Sequence, residues 1–392
     1  MVNTKIAIYS GEIPSTSFVE RLIEGIAEDE YQILLFGNIK RKKNYNRGNV
    51  LIVGNRRDGW GIWIAVFRII KLKVMAPLRF QKLKNHLGFG AFDSKKGFMA
   101  WQKYVPVVLH LPDIFHLQWA KAADEWLFLK EQFGVKLVVS LRGAHINYSP
   151  LADDALAEIY QNVLPQYDAF HAVSHAILKE GVRYGVDVGK SKVIYSGLHP
   201  LSLDNVKKES GEVKLLSVGR FHWKKGYHYL LDAFVLVRKI FPDAKLTLIA
   251  PGNIPEELLV QMHDLKLENA VDWIRGLPVD QVMAQMKLHN VLVLPSVEEG
   301  IANVVLEAMN VGLPVISTDC GGMNEVIEHK VNGWLVPVRD PVALAAGIVE
   351  VMDLTPEDRE KVCANANQTI REKFHTGKSR TDFVNLYQSV LS

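Results

Sequence analysis

The chain has 392 residues, of which 48% are hydrophobic and 23% are charged, and its formal net charge is +3. This length exceeds one ordinary core and predicts two domains of roughly 200 residues, and the balanced composition indicates a soluble globular protein. The two cysteines, Cys320 and Cys363, exclude a disulfide framework by their number and a zinc knuckle by their separation. A reducing, cytoplasmic compartment is therefore expected.

The charge is unevenly distributed along the chain. Residues 1–203 hold 26 Lys and Arg against 18 Asp and Glu, a net charge of +8, whereas the remainder has a net charge of −5. From Lys40 to Lys103 there are 16 basic residues and two acids. Such a region fits either a solvated face or a patch that rests on anionic lipid head groups or an acidic acceptor. A nucleic acid is not expected, because no groove-reading motif accompanies the bases.

The beginning of the chain and its longest apolar run bear on targeting. "KIAIYSG" at 5–11 has the pattern of a strand, so no signal peptide is expected. The apolar run near residues 60–70 is shorter than the about 20 residues that span a bilayer.

Strand and helix patterns alternate along the whole chain. In the first half the predicted strands cover residues 5–11, 31–37, 136–143 and 169–174, and a helix covers 17–28. After a polar stretch at 199–213 the alternation restarts, with strands at 213–220, 244–250, 290–296, 314–318 and 333–338. This alternation predicts an α/β protein with two Rossmann-like, doubly wound domains that face each other across a cleft, joined by the polar stretch as a linker.

Ligands of such sheets bind outside the carboxyl ends of the strands, so the residues there are the first candidates. Arg220 follows one predicted strand, with Lys224 and Lys225 shortly before a helix. These cations and the helix N–H groups fit an anion such as a diphosphate, although they also fit ordinary loop cations. Arg275 and Gly276 repeat the pattern after another strand.

The stretch "SVEEGIANVVLEAM" at 296–309 places Glu307 in an otherwise apolar helix. Asn303 is predicted to cap this helix and Gly312 to close it. A buried carboxylate needs hydrogen-bond donors, which either the two hydroxyls of a ribose or a structural ion pair would supply. Glu299 precedes the helix in the loop that leaves the strand.

The motifs of the second half point to a family. "SVGRFHWKKG", "RGLP", "PSVEEGIANVVLEAMNVGLPVISTDCGGMNEVI" and "NGWLV" occur in this order over 213–340 and resemble the retaining glycosyltransferases of family 4, which have the GT-B fold. The first half matches more loosely, through "DIFHLQ", "VVSLRG", "AVSHAILKEGV" and "IYSGLH". The resemblance implies an acceptor domain at 1–203, a nucleotide-sugar domain at 204–375 and a helix at 376–392 that crosses back onto the first domain.

The resemblance also implies transfer of a sugar from a nucleotide sugar with retention of anomeric configuration. By matched position, Glu307 would bind the ribose hydroxyls and Glu299 the sugar that is transferred. The backbone N–H groups of Ile301, Ala302 and Asn303 would face the same sugar.

The leaving diphosphate would be held by Arg220 and Lys225, which should contribute most in the transition state, where charge develops. The base would lie near Arg275 and Gly276, and the Gly11 loop would approach the phosphates. No Asp-x-Asp motif stands at a strand end, so no metal or cofactor is expected. The family implies a reaction on one face of the sugar, rather than the two-carboxylate scheme in which Glu299 would be a nucleophile.

On the acceptor side, Arg142 stands where many members have His, and His145 follows three positions later. With His116 these residues are candidates for acceptor binding, although either histidine also fits a buried structural role. The acceptor is expected to be a glycan or lipid-linked sugar in cell-surface polysaccharide synthesis, reached at the inner membrane face through the basic region at 40–103. The alternatives are a soluble sugar acceptor, as in sucrose-phosphate, trehalose or glycogen-type synthesis, and a non-catalytic sugar-nucleotide-binding protein.

Overall fold

The computed structural model describes residues 4–56, 58–88, 94–203 and 212–392, which form two compact units. The first unit comprises the described residues up to 173, together with 177–197 and 376–392. The second comprises 174–176 and the described residues from 198 to 375. The cleft expected between them stays a prediction.

The first unit is built on a parallel sheet. Its strands within the described residues are β1 (Lys5–Ile13), β2 (Gln32–Ile39), β3 (Val50–Ile52), β4 (Ile114–Leu117), β5 (Lys136–Leu141), β6 (Ala169–Ala172) and β7 (Ser191–Val193). They are arranged in the order β3-β2-β1-β4-β5-β6-β7, with every neighbouring pair parallel. Side chains alternate across this sheet, so that Ile6 and Ile8 enter the core on one face and Ala7 the core on the other.

Helices cover both faces of this sheet. They are α1 (Ser17–Ile26), α2 (Gly59–Met75), α3 (Pro77–Leu87), α4 (Lys95–His110), α5 (Ala123–Trp126), α6 (Phe128–Phe133), α7 (Ala144–Asn147), α8 (Asp154–Val163), α9 (His175–Val182, in this unit from 177 on) and α16 (Thr376–Leu391). Helices α1 and α16 pack together on the face that contains Ile6, and α2, α3 and α4 pack together on the other.

The second unit repeats the plan. Its strands are β8 (Lys214–Val218), β9 (Lys245–Ala250), β10 (Val271–Arg275), β11 (Val291–Leu294), β12 (Val315–Thr318) and β13 (Trp334–Val336), in the order β10-β9-β8-β11-β12-β13. Its helices are α10 (Tyr227–Ile240), α11 (Glu256–Asp264), α12 (Val279–Leu288), α13 (Asn303–Asn310), α14 (Pro341–Met352) and α15 (Pro356–Lys373). All its described strand pairs are parallel. The strand order is that of a dinucleotide-binding sheet. The prediction of two Rossmann-like α/β domains is confirmed.

The boundary between the units lies earlier than the predicted 203/204. The N–H of Leu198 donates to the carbonyl of Phe374 at 2.7 Å, and the N–H of Leu201 donates to Oδ1 of Asn310 at 3.0 Å. Residues 198–203 are thereby fixed to the second unit, because these backbone groups find their partners there. Of the predicted linker, 204–211 lie outside the described residues.

The first strand also differs from its prediction, since it continues past Gly11 to Ile13. A register shift between Tyr9 and Gly11 lets β1 keep pairing with β2, and Gly11 takes a φ of +83°. A glycine adopts this left-handed conformation without the backbone strain that a residue with a side chain would have. Gly11 is therefore a bulge inside a strand rather than part of a loop.

Candidate active site

The order of the second sheet reverses between β8 and β11, and the loops after these strands meet there. The loop at 219–226 follows β8, and the loop at 295–302 follows β11. The N–H of Val297 donates to the carbonyl of Lys224 at 2.6 Å, which ties the two loops together. A crevice beside the reversal point is where open α/β sheets bind ligands.

Gly226 fixes how closely the two loops approach each other. Its φ is +64°, and a Cβ at this position would lie 2.1 Å from the carbonyl oxygen of Pro295. Only a glycine meets both conditions, since a side chain would be strained and would collide with the backbone. The residue also caps α10, which begins at Tyr227, so the helix start is held against the neighbouring loop.

A buried ion pair lies at the centre of the joined loops. Nζ of Lys225 contacts Oε1 of Glu299, and the hydroxyl of Ser296 donates to the same oxygen at 2.9 Å. The side chains of Lys225 and Glu299 are only 14% and 8% exposed. Burial opposes ionisation of Glu299, but Lys225 and Lys224 outweigh it and hold the pKa of the carboxyl below its usual value. Glu299 is thus a carboxylate at neutral pH.

Two further cations accompany this pair. Lys224 is buried, which lowers its pKa, and Glu299 opposes this shift while Lys225 and Arg220 add to it. Arg220 is exposed, and none of the described carboxylates forms an ion pair with it. The sequence prediction that these three cations gather at one strand end therefore agrees with the geometry, and Arg220 offers a charged group to an incoming anion.

The beginning of α13 supplies backbone donors next to Glu299. The helix begins at Asn303, and Ala302 is its cap, without a side-chain hydrogen bond. The prediction of Asn303 as the cap is wrong by one residue, because Ala302 is the last residue with extended backbone. In the part of the chain that the structure describes, no group accepts a hydrogen bond from the N–H of Ile301, Ala302 or Asn303. Such donors at a helix start attract electronegative ligand groups.

Glu307 lies one turn into α13, where its residue is only 8% exposed. The residues on either side of it, Val305, Leu306, Ala308 and Met309, are buried and apolar, and Asn310 at the end of the helix is buried as well. The predicted burial of Glu307 is thus confirmed, and its role towards a ribose stays a prediction.

The glycine pair after β12 supports the acidic loop. Gly321 has a φ of +54°, and a Cβ there would lie 1.7 Å from the carbonyl oxygen of Glu299. The N–H of Gly322 donates to the carbonyl of Gly300 at 2.9 Å. The two glycines therefore hold the backbone of residues 299–300 in place.

Sequence reasoning missed Ser296 and Thr318, which complete this support. The hydroxyl of Thr318 donates to the carbonyl of Ser296. The only signal in the sequence is that both residues stand at strand ends.

Arg275 and Gly276 lie at the same edge of the sheet, at the end of β10 and two strands away from β8. The guanidinium of Arg275 donates to Oδ1 of Asn253 and lies 5.4 Å from the ring centroid of Trp273. Gly276 has a φ of +51°, and its N–H donates to the carbonyl of Ala250 at 2.9 Å. Among the described residues, no hydrogen bond or ion pair joins this group to the Lys225–Glu299 pair.

In the first unit, His116 is enclosed within the sheet and has no exposed surface. Its Nδ1 lies 2.8 Å from the Tyr387 hydroxyl, and its Nε2 lies 2.9 Å from Oγ of Ser140. Ser140 also contacts Nδ1 of His171 at 2.8 Å, and Nε2 of His171 lies 3.0 Å from the carbonyl of Ile194. A carbonyl only accepts, so His171 donates to Ile194. With neutral imidazoles, Ser140 then donates to His171, His116 to Ser140 and Tyr387 to His116.

This chain of bonds requires both histidines to be neutral. Burial, followed by the charge of Arg142, lowers the pKa of His116 to about 3, and the same causes lower that of His171. The geometry agrees with the structural alternative for His116, since its ring cannot reach a ligand without a rearrangement.

Arg142 follows β5 and lines a pocket that also contains Phe18, Arg21 and Ser196. Its Nη2 donates to Oε1 of Gln118 at 2.9 Å, and its guanidinium lies 4.4 Å from the ring centroid of Phe18. Burial lowers the pKa of Arg142 to about 9, so it stays charged at neutral pH.

His145 and Gly11 are less enclosed than His116. The ring of His145 lies 5.2 Å from that of Trp119. A Cβ at Gly11 would meet no heavy atom within 4 Å, which leaves space beside that strand. Across the described residues, no cluster of three His, Cys, Asp or Glu side chains has the arrangement of a metal site.

Comparisons with known proteins agree with this geometry. The sequence profile of the family "Glycosyl transferases group 1" matches residues 202–369, which include the charged loops and α13. A solved structure of HepE from Anabaena, in complex with UDP and glucose, superposes with a TM-score of 0.71 at 18% identity, over 99% of this chain and 100% of the other. The chain therefore has the GT-B fold, and its residues 202–369 resemble the group 1 glycosyltransferases.

Proteins with similar sequences are named as glycosyltransferases. An uncharacterized glycosyltransferase of Methanocaldococcus jannaschii is 30% identical over 254 residues, which are 60% of this chain and 64% of the relative. The amylovoran biosynthesis glycosyltransferase AmsK of Erwinia amylovora is 28% identical over 276 residues, which are 66% of this chain and 67% of AmsK. The matches thus span about two thirds of each relative's length.

Proposed function

We propose that this protein is a glycosyltransferase that moves a hexose-type sugar from a nucleoside diphosphate sugar to a hydroxyl group, with retention of anomeric configuration. The observation that carries the proposal is the buried Lys225–Glu299 pair beside the exposed Arg220, at the reversal point of a Rossmann-like sheet. That the HepE structure of the same fold holds UDP and glucose supports a nucleotide-sugar donor.

The donor would lie along the carboxyl edge of the second sheet. Arg220 and Lys225 would bind the diphosphate, whose negative charge grows as it leaves, so that both cations act most strongly in the transition state. The ammonium of Lys225 has three donors, and it can contact Glu299 and a phosphate oxygen at the same time. Glu307 would accept from the ribose hydroxyls, and the base would lie towards Arg275 and Gly276.

The transfer would take place on one face of the sugar. The bond from the anomeric carbon to the phosphate oxygen breaks, the acceptor oxygen bonds to the same face, and its proton passes to the departing phosphate. Glu299 would orient the sugar and stabilise its positive charge. A role as covalent nucleophile is disfavoured, since Lys225 and Ser296 already hold the same carboxylate oxygen. Because two cations neutralise the leaving group, the proposal requires neither a metal nor a cofactor.

The acceptor would be a glycan or lipid-linked sugar in cell-surface polysaccharide synthesis at the inner, cytoplasmic face of a membrane. The naming of AmsK as an amylovoran biosynthesis enzyme supports this pathway class. Arg142, His145 and the pocket between α1 and α16 are the acceptor-side candidates in the first unit.

A thermal-shift panel of UDP, GDP, ADP and TDP tests donor binding first. At 100 times its dissociation constant, the matching nucleotide should stabilise the fold by about 2.7 kcal/mol. Glu307→Gln, which keeps the size of the side chain, should weaken this shift, whereas Glu357→Gln on the exposed start of α15 should not. The proposal is wrong if no nucleotide shifts the melting temperature.

The matching nucleotide sugar is then offered to a lipid-linked acceptor and to small free sugars, with and without EDTA. Retained configuration in the product, read by proton NMR, is expected with the lipid-linked acceptor and in the presence of EDTA. Turnover on a small sugar alone would favour the soluble-acceptor alternative. Nucleotide binding without turnover on any acceptor would favour the non-catalytic one.

A further inference from the structure

Helix α2 exposes an apolar stripe to solvent. Its members follow one another at intervals of three and four residues, which places them on one face of the helix. They are Trp60, Trp63, Phe67, Ile70 and Val74, each between 56% and 74% exposed. On the opposite side of α2, Gly61, Ala65 and Leu72 are buried, and this side packs on α4. The helix therefore has one apolar face in the core and another outside it.

The exposed apolar surface continues through the last residue of α2 and into α3. Met75 is 69% exposed, and Leu78 at the start of α3 is 80% exposed. Isolated exposed apolar residues are ordinary, but a contiguous patch that includes two tryptophans marks an interaction surface.

Within α2 and α3 the charges beside the stripe are all of one sign, and the acidic cap of α2, Asp58, is paired with Arg56. Residues 59–87 contain six Lys and Arg and no Asp or Glu. Lys71 lies four residues after Phe67 and Lys73 three after Ile70, so both flank the stripe, and both are exposed. The remaining bases of this segment are Arg68 on α2 and Arg79, Lys82 and Lys84 on α3.

The run "KRKK" at 40–43 also belongs to the predicted basic patch, but it differs in that two of its lysines form ion pairs. Lys40 pairs with Glu12 at 2.5 Å, and Lys43 pairs with Glu20 at 2.6 Å and Glu24 at 3.0 Å. Two of its four cations are thus neutralised by carboxylates of their own unit. Lys71 and Lys73 on α2, by contrast, form no ion pair with any carboxylate among the described residues.

We propose that α2 lies in the head-group region of an anionic membrane, with the stripe inserted among the acyl chains and Lys71 and Lys73 against lipid phosphates. An apolar helix face with tryptophans and a basic border is the pattern of an interfacial helix. No helix in the described parts of the chain is long and apolar enough to cross a bilayer. This membrane contact deepens the proposed function, on which its use for a lipid-linked acceptor rests.

The charge pattern favours lipid over a second copy of the chain. A symmetric contact between two α2 faces would bring two all-basic borders together, and like charges oppose such a contact. An anionic bilayer instead supplies the opposite charge, with each nearby base strengthening binding about fivefold.

Sedimentation of the full chain with vesicles tests the proposal. Binding is expected to vesicles of phosphatidylcholine with phosphatidylglycerol, to weaken in high salt, and to be much weaker with phosphatidylcholine alone. Trp63→Ser together with Phe67→Ser should lower the partition coefficient at least about tenfold. Lys71→Ser with Lys73→Ser should lower it less and flatten the salt dependence.

The chain offers a matched control for the apolar substitutions and another for the lysine substitutions. Ile240→Ser with Val342→Ser removes apolar residues of similar exposure, 59% and 68%, from the second unit and should leave binding unchanged. Lys40→Ser with Lys43→Ser should have a smaller effect than the α2 lysine pair. Circular dichroism melting of every variant checks that the fold is retained.

The proposal is overturned if the wild-type protein binds neither kind of vesicle, or if the stripe variants bind as well as the wild type. It is also overturned if the stripe substitutions only convert a dimer into a monomer, as measured by light scattering. The nucleotide thermal shift is measured on the same samples. If it persists while vesicle binding is absent, the membrane inference fails and the proposed function stands. If the thermal shift is absent while the protein binds vesicles, the proposed function fails and the membrane inference stands.

Discussion

The six described strands of the second unit follow the order of the first six strands of the first unit, but the charged pair of one unit and the histidine chain of the other lie at different places in their sheets. In the second unit the reversal point carries the Lys225–Glu299 pair, placed on loops that follow β8 and β11. In the first unit the polar residues lie within the strands, where His116 and Ser140 form part of a neutral hydrogen-bonded chain. Polar groups inside strands are enclosed and satisfied by the protein, whereas polar groups past strand ends are available to a ligand.

The largest effect is expected from breaking the charged pair. Glu299→Gln should reduce transfer by about 10²–10³-fold, the range for removing one electrostatic stabiliser. Lys225→Met should reduce transfer as well, and it should destabilise the second unit by about 3–5 kcal/mol, because it leaves a buried carboxylate without its cation. The double variant should recover stability but not activity. Turnover and melting temperature are the measurements, and a double variant as unstable as Lys225→Met would contradict the pairing.

Arg220→Ala sharpens the same comparison, since Arg220 is exposed rather than buried. Transfer should fall about 100-fold, while the free energy of unfolding should change by less than about 0.5 kcal/mol. Lys239→Ala, an exposed cation at the far end of α10, serves as the control and should leave both quantities unchanged. Equal turnover in the two variants would remove Arg220 from the diphosphate site.

The most gradual effect, spread over several pH units, concerns the neutral chain of the first unit. The pKa of His116 is lowered from 6.5 to about 3 in the folded state, and that of His171 is also lowered. Below about pH 6.5 the unfolded state binds more protons, so stability should fall with falling pH, by up to about 1.4 kcal/mol per pH unit for each histidine. His116→Gln keeps hydrogen-bonding groups but cannot titrate, so its acid-induced loss should be shallower.

Urea unfolding between about pH 7 and pH 4.5 measures this slope. The matched control is His263→Gln, because His263 lies on an exposed surface of the second unit. It should keep the slope of the wild type. A His116→Gln variant with an unchanged slope would show that His116 is not held neutral by the fold.

Much of the fold and part of the site could be predicted from local patterns. Alternating strands and helices predict parallel sheets, and the position of Arg220, Lys225 and Glu299 after apolar strands predicts a charged strand edge. The features that escaped depend on partners far along the chain. Ser296 is a donor to Glu299 only because of how its loop turns, and Gly321 matters because it touches the backbone of Glu299.

The basic region shows the same limit. Its composition predicts a positive patch, but composition does not reveal that Lys43 faces two glutamates of α1 or that the apolar stripe of α2 faces solvent. Likewise, His116 has the residue type of an acceptor contact, and only its position in β4 makes it a buried link between Tyr387 and Ser140.

The sequence by itself determined two Rossmann-like units, a glycosyltransferase relationship and the residues at the carboxyl edge of the second sheet, because periodicity and strand-end position are local properties. Only the tertiary structure decided that Lys225 and Glu299, 74 residues apart, form a buried pair, and that one face of α2 is left uncovered. Ion pairing and burial depend on which distant segments come together, and no short stretch of sequence contains that information.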